Sequence, residues 1–354
     1  MPDKTKTKKT DDPKKEKKKI DVFDAVMRKA AEAYGRSVII MPDDVEGIKR
    51  RIARLNVIPS GSLSYDFMTG IGGIPMGRII EITGKEGAGK SSTLVCFSVA
   101  AQNIGYRVVY IDVEHRLDVA YAERLGLKKG SYHIMLPSSS DEVFELVDSI
   151  MRTGEQVFLI IDSVSALVNR AQLDRKWSKG RQPGTLASDM NEFLKRVNPS
   201  MSKSRSVIAF TNQDRMAITL FGGYKTQTGG KALPYYSTHR MSIQKAKNKQ
   251  GEIKIVENGE QIGYYMVMRF LKTNTKAAPS ERKICFKYNH GFWREEELFN
   301  IGVQEGIIEK GGAWFQHGYV KLQGKVAFRD KLTKDKEFAN KIEKEIRKKW
   351  EMTA

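Results

Sequence analysis

Gly84-Lys85-Glu86-Gly87-Ala88-Gly89-Lys90-Ser91 matches the spacing G-x-x-x-x-G-K-[ST] and stands between a β-branched run, Arg78 to Thr83, and an apolar stretch of helical spacing, Lys90 to Ile104. A strand, a glycine loop and a helix in that order form the context that a phosphate-binding loop requires. The glycines let successive backbone N–H groups turn inward on phosphate oxygens, and the helix N-terminus adds its dipole. Lys90 is the residue expected to bridge the β- and γ-phosphates of ATP. Ser91 is the hydroxyl expected on Mg²⁺, with Ser92 beside it among the nucleotide contacts. A glycine turn ahead of a helix is the simpler reading, and the agreement of the motif with both flanking elements speaks against it.

Outward from this loop, strand and helix patterns alternate. Arg107 to Asp112 reads as a strand, a helix follows Asp118, and His133 to Leu136, Asp141 to Thr153 and Val157 to Asp162 continue strand, helix, strand. Ser206 to Thr211, Met241 to Gln244, Gly263 to Leu271 and Arg282 to Tyr288 are further strand candidates. The fold class this implies is α/β, with a mainly parallel central sheet covered by helices. The run Leu159-Ile-Ile-Asp162 is a buried strand ending in an acid, as expected of a carboxylate that orients the Mg²⁺ from the strand adjacent to the phosphate loop. Glu114, just beyond a second such strand, is placed to polarise a water for attack on the γ-phosphate, with an ordinary surface glutamate as the alternative.

The chain has 354 residues, 40% of them hydrophobic, which is enough for a substantial core in one or two domains. Lys and Arg outnumber Asp and Glu by 61 to 42, giving +19, so an acidic partner such as nucleic acid is indicated. The excess is uneven. Residues 1–20 hold nine lysines against four acids, residues 170–181 five bases against one acid, and residues 321–354 eleven bases against six acids. Residues 1–19 read as a disordered basic tail, followed by a helix at Val22 to Tyr34 and a strand at Val38 to Met41. Two cysteines without a C-x-x-C or Cys/His cluster argue against a disulfide framework or structural zinc. No apolar run reaches membrane-spanning length, so a cytoplasmic protein with no membrane partner is expected.

Two loops exceed what a minimal ATPase needs. Residues 170–184 bring Arg170, Arg175, Lys176, Lys179 and Arg181 together with Trp177, a mixture suited to phosphate contact and base stacking. Residues 214–231 combine Arg215, Lys225 and Lys231 with Met216, Ile218, Phe221 and Tyr224 among glycines and threonines, Thr228, Gly229 and Gly230 included. Such a loop has poor means of burying its apolar groups within its own domain, which suggests that it orders on a ligand. A solvated loop is the plain alternative for each.

In these residues the sequence resembles the bacterial RecA recombinase family, from about Ala30 to Lys344. Gly61-Ser-Leu-Ser-Tyr-Asp66, Gly72-Gly-Ile-Pro-Met-Gly-Arg78, Ile111-Asp-Val-Glu-His-Arg-Leu-Asp118, Tyr121-Ala-Glu-Arg-Leu-Gly126, Asp162-Ser-Val-Ser-Ala-Leu167, Thr211-Asn-Gln213-Asp-Arg-Met216, Thr228-Gly-Gly-Lys-Ala-Leu233 and Gly311-Gly-Ala-Trp-Phe315 carry it in order. The resemblance implies a RecA-type P-loop core over residues 59–292, a small N-terminal helix and strand at 20–58 that packs on the next protomer, and a small α+β C-terminal domain at 293–354. It implies an ATP- and Mg²⁺-dependent recombinase that forms a helical filament on single-stranded DNA, pairs it with homologous duplex, and works beside single-strand-binding and mediator proteins. Glu114 then corresponds to the catalytic glutamate, Gln213 to the γ-phosphate sensor, and Asp118 with Tyr121 to the adenine contacts. The two basic loops fall on the family's DNA-binding loops, with Lys195 on the following segment, and Tyr235 falls at an aromatic interface position.

The departures are specific. Where the family has two lysines in a K-N-K stretch that reach a neighbour's ATP, this chain reads Lys272-Thr273-Asn274-Thr275-Lys276, so Lys272 and Lys276 are the candidates to substitute. Pro234 replaces an interface lysine, and the family's acidic C-terminal tail gives way to a basic helix from Asp335 to Trp350. This divergence resembles a phage- or mobile-element-encoded member. A RecA-like regulatory DNA-binding ATPase and a hexameric helicase-type ATPase are the competing readings.

Overall fold

The computed structural model describes residues 22–34, 56–174, 185–213, 215–219, 222–226, 230–257, 259–275 and 281–350. Its contacts separate Met1–Arg54 from Leu55–Ala354. Within the first unit, Val22–Tyr34 is a helix over the span its periodicity predicts. The basic tail and the strand expected at Val38 to Met41 lie outside the described residues.

The second unit is built on a ten-stranded sheet. Across it run Gly291–Phe292, Glu281–Lys287, Glu260–Thr273, Ser237–Lys245, Ile79–Gly84, Val207–Gln213, Val157–Asp162, Arg107–Asp112 and Tyr132–Met135, with Lys254–Glu257 also paired to Glu260–Thr273. From Ser237–Lys245 to Tyr132–Met135 every pairing is parallel, and the remaining strands pair antiparallel. This is the mainly parallel α/β sheet expected from the alternating pattern.

Strand parity explains the layers. Side chains alternate between faces with period two. Ile80, Ile82, Val108, Tyr110, Phe158 and Ile160 therefore share one buried cluster with Leu94, Phe97 and Ala101 of the helix Lys90–Asn103. Their neighbours Ile79, Val109, Ile111, Leu159, Ile161 and Phe210 share the other with Val143 and Val147 of Ser140–Arg152 and Met190, Leu194 and Val197 of Thr185–Ser204. Full burial of each such aliphatic or aromatic side chain contributes about 1.5–3 kcal/mol. The helix Thr185–Ser204 has no counterpart among the elements read from sequence. Its apolar residues at 186, 190, 193, 194, 197 and 201 keep helical spacing, but Pro199 lies inside it.

The C-terminal region is α+β, as expected: the helix Arg294–Gln304, an antiparallel sheet of Glu309–Gly311, Trp314–His317 and Val320–Gln323, then the helices Lys325–Lys334 and Lys336–Lys349. Leu298, Phe299, Phe328, Phe338, Ile342 and Ile346 form its core, and Leu63 from the helix Leu63–Thr69 joins them. Both cysteines are free and buried. Among the described residues no helix is long and apolar enough to cross a membrane.

Buried acids fasten this region to the helix Leu63–Thr69. Glu297 accepts from Ser62 Oγ at 3.0 Å and from Leu63 N at 2.9 Å, while Asp66 accepts from Ser60 Oγ at 2.6 Å and from Arg347 at 2.9 Å. Burial pushes the Glu297 carboxyl up to about 7, against the pull of its Ser62, Ser64 and Leu63 hydrogen bonds and with a further push from Asp66. Burial likewise raises Asp66 to about 6, against the pull of Arg347 and Ser60. A folded junction that holds protons more tightly than the unfolded chain loses stability as pH rises through these values. From pH 5.5 to pH 8 these two carboxyls should therefore cost the fold on the order of 1–3 kcal/mol each, which lowers the thermal midpoint at pH 8, while the buried His239, held down to about 3, opposes them at the acid end. Glu297→Gln should flatten that difference, and an unchanged slope in this variant would remove Glu297 as its source.

Candidate nucleotide and DNA site

The strands Ile79–Gly84, Val207–Gln213, Val157–Asp162 and Arg107–Asp112 are consecutive neighbours in the sheet. Register pairs Gly84 with Gln213 and Asp112 with Asp162, so four carboxyl ends open on one edge. Such an edge is where open α/β sheets bind ligands. One expectation needs correcting: Val157–Asp162 is not adjacent to the phosphate-loop strand, because Val207–Gln213 lies between them. The crossover that skips a strand leaves room for a later one, and the strand inserted there delivers Gln213 to the same edge.

The phosphate loop itself is shaped by close approaches. At Gly84 a Cβ would lie 2.4 Å from the Ile243 carbonyl oxygen, and at Gly89, with φ of 96°, it would lie 2.6 Å from the Tyr264 hydroxyl. Gly89, which has no side chain to cap with, stands at the N-cap of the helix Lys90–Asn103. Lys90 is buried, and its ammonium donates to the carbonyls of Gly84 at 3.1 Å and Lys85 at 3.0 Å.

Asp162 accepts from the hydroxyls of Tyr110 and Thr211, and Tyr110 also bonds Ser91. A hydroxyl-linked chain thus joins Ser91 to Asp162. Burial and the neighbouring Asp162 charge hold the Tyr110 phenol well above its usual range, so it stays a donor. Hydroxyl and carboxylate oxygens are the hard donors that suit Mg²⁺, which takes one or two protein groups and completes its shell with phosphate and water. The residues present fit that ion.

The segment after Asp112 is pinned at its backbone. The N–H groups of Val113 and Glu114 donate to the Asp162 carbonyl at 2.9 and 3.3 Å, and those of Arg116 and Leu117 donate to the buried Asp112 carboxylate at 3.1 and 2.9 Å. Glu114 accepts from Ser163 Oγ at 2.5 Å, which aims it into the cleft. Asp118 caps the helix Val119–Arg124 by accepting from Tyr121 N at 2.9 Å, and the Tyr121 hydroxyl lies 3.5 Å from Ser92 Oγ.

Glu86, Gly87, Gly89, Lys90, Ser91, Ser92, Glu114, Asp118, Tyr121, Asp162 and Gln213, all singled out from sequence, line one cleft of about 440 Å³. That volume falls within the roughly 300–1,000 Å³ of small-molecule sites. Gly84, Lys85 and Ala88 build the loop behind it. Arg116, Lys245, Tyr264 and Tyr288 also line the cleft and were not foreseen. Lys245 pairs with Glu252 at 3.2 Å and lies 5.5 Å from the Tyr264 ring centre, while Tyr264 and Tyr288 pack with centres 5.8 Å apart. Strand parity could have placed Tyr264 with Met266 and Met268 on the face of the phosphate-loop helix; nothing local marks the others.

Two family models cover this architecture. One for the RecA N-terminal domain matches residues 21–292, and one for the RecA C-terminal domain matches residues 296–351. The chain belongs to the RecA family. Protein RecA of Thermotoga maritima is 35% identical over 343 residues, covering 95% of this chain and 93% of the relative. Protein RecA of Geobacter sulfurreducens is 34% identical over 85% of this chain and 87% of its own, and that of Brucella anthropi 33% over 93% and 89%.

On this RecA-family framework the candidate DNA residues divide. Arg170 begins the short helix Arg170–Leu173 and is ion-paired to Glu142 at 2.9 Å. Arg175, Lys176, Trp177, Lys179, Arg181, Thr228 and Gly229 lie outside the described residues. Lys195 is exposed on Thr185–Ser204, as are Gly230 and Lys231 at the start of Ala232–Tyr236. Arg215, Met216 and Ile218 belong to the strand Arg215–Thr219, paired antiparallel with Gly222–Thr226, so a segment read as an irregular loop contains a hairpin.

The candidate interface residues also divide. Tyr235 is 76% exposed. Lys272 is partly exposed and donates to the carbonyls of Pro234 at 3.0 Å and Tyr235 at 2.7 Å. Thr275, one of the two threonines in the lysine places, donates to the Thr69 carbonyl at 2.5 Å and lies 3.3 Å from His239 Nε2. Lys276 lies outside the described residues.

Proposed function

We propose that this chain is an ATP-dependent homologous recombinase that assembles as a helical filament on single-stranded DNA and pairs it with homologous duplex. The observation that carries the reading is the convergence of Lys90, Ser91, Asp162, Glu114 and Gln213 on one sheet edge in a RecA-family chain. Residues 20–58 would serve as the protomer-interface element, 59–292 as the ATPase core, and 293–354 as the C-terminal domain.

In hydrolysis, Glu114 would orient a water and take up its proton. The water oxygen bonds to the γ-phosphorus, and the bond from that phosphorus to the β-bridging oxygen breaks, its electron pair leaving with ADP. Ser91 and Asp162 would hold Mg²⁺, which would supply positive charge against the phosphates. Gln213 ends the strand that leads into the 214–231 segment, so loss of the γ-phosphate would be felt at a DNA-contacting element. Such assembly is head-to-tail and open-ended.

A strand-exchange assay with homologous duplex, run with ATP and without nucleotide, tests the reading. Joint molecules should form only with ATP. ATP-dependent DNA binding without joint molecules would instead favour a regulatory ATPase. Replacing Lys176, Lys179 and Arg181 together should reduce the slope of log affinity against log salt for single strands by about 2, at roughly 0.7 per phosphate contact. An unaltered slope would take those residues out of the DNA site.

A further inference from the structure

Arg116 sits where charge will change most. Its backbone N–H is held by the buried Asp112 carboxylate at 3.1 Å, so the side chain leaves from a fixed point at the cleft mouth. Its Nη1 lies 3.5 Å from Glu86 of the phosphate loop and 3.8 Å from Glu114. The Arg116 and Glu86 side chains are 72% and 85% exposed, so this pairing is screened by water and weak. Of the other cations lining the cleft, Lys90 is buried under the loop and Lys245 pairs with Glu252 against Tyr264. The phosphate end meanwhile carries Glu86, Asp112, Glu114 and Asp162.

We propose that Arg116 is a γ-phosphate-contacting catalytic residue acting within its own protomer. When ATP enters, the guanidinium exchanges Glu86 and Glu114 for γ-phosphate oxygens. A triphosphate outcompetes the solvated Glu86 and the more distant, largely buried Glu114, which keeps its Ser163 hydrogen bond, because its charge is denser and matches the planar fork with two parallel hydrogen bonds. The move supplies positive charge as the phosphoryl group transfers, and it releases Glu114 to hold the attacking water. With ADP bound, no γ-phosphate is present and the guanidinium returns to the two carboxylates. The inference rests on the ATPase reading above, and its test separates the two.

The full-length parent, Arg116→Ala and Arg116→Lys are compared for equilibrium binding of ATPγS and of ADP, both with Mg²⁺, and for DNA-stimulated turnover. Arg116→Ala should weaken ATPγS binding about tenfold or more while changing ADP binding less than about twofold. Its kcat should fall by about a hundredfold or more, in keeping with the weight of arginines at transferring phosphoryl groups. Arg116→Lys should fall between the two, since it keeps the charge and loses the fork. Retained ADP affinity reports that each variant is folded. Equal losses for both nucleotides, or unchanged ATPγS binding, would overturn the proposal. A parent that binds nucleotide and never hydrolyses it would sink the ATPase reading, while the ratio of ATPγS to ADP affinity would still decide Arg116.

Discussion

Replacing Lys90 with alanine should lower DNA-stimulated ATP hydrolysis by at least about 10²–10³-fold, the loss usual for removing one preorganised donor from a site of developing charge. The ammonium is buried beneath the loop and already within hydrogen-bond distance of the Gly84 and Lys85 carbonyls. A phosphate entering the loop would meet that donor before any other cation of the inner cleft. Since Lys90 also braces the loop, ATPγS affinity should drop together with turnover, and ATP-dependent filament formation should disappear. Titration calorimetry and a coupled hydrolysis assay measure both. Turnover near the parental rate would detach the glycine loop from nucleotide chemistry altogether.

Glu114→Gln should act differently, cutting kcat by about 10²–10⁴-fold while leaving ATPγS affinity within a few fold. The amide keeps the shape and can still accept from Ser163, whose hydroxyl is 2.5 Å from the carboxylate. It cannot take a proton from water. ATP-bound filaments should therefore persist in the variant, visible as a slow decay of nucleotide-dependent light scattering after ATP is added. Rapid single-turnover hydrolysis would strip Glu114 of its role. Together with Arg116→Ala, which should affect the triphosphate selectively, the pair separates proton acceptance from charge neutralisation at the same phosphate.

The sheet and its edge were legible because their signals are local. Runs such as Val157 to Asp162 are too apolar to lie anywhere but between two helical layers, and the glycine loop names the strand that precedes it. Asp162 and Glu114 stand out the same way, as acids at or just beyond the ends of apolar strands, whereas Gln213 lies past the Ser206 to Thr211 run and is marked only by the resemblance to the RecA family. The helix Thr185–Ser204 was obscured because Pro199 removes a backbone donor within it, while packing of Met190, Phe193, Leu194 and Val197 overrides that local cost. The strand order was misread for a different reason. Which strand neighbours the phosphate-loop strand depends on a crossover, and no spacing within a single strand encodes it. Tyr264, Lys245 and Arg116 belong to the same class, since each joins the cleft only when distant strands or a turn place it there.

The helix Leu63–Thr69 begins at Ser62, whose hydroxyl accepts from Tyr65 N and donates to Glu297 on the far side of residue 292. Arg347 reaches the Asp66 carboxylate of the same helix, and Trp350 packs on Phe67 with ring centres 4.0 Å apart. The seam between the two family matches is therefore a boundary in the sequence and a weld in the folded chain. A fragment ending at residue 292 would bare Leu63 and Phe67 and leave Asp66 without its arginine. Domain transplants between relatives would have to carry the Ser60 to Phe67 segment along with the C-terminal region, because the two have to be compatible as a single surface.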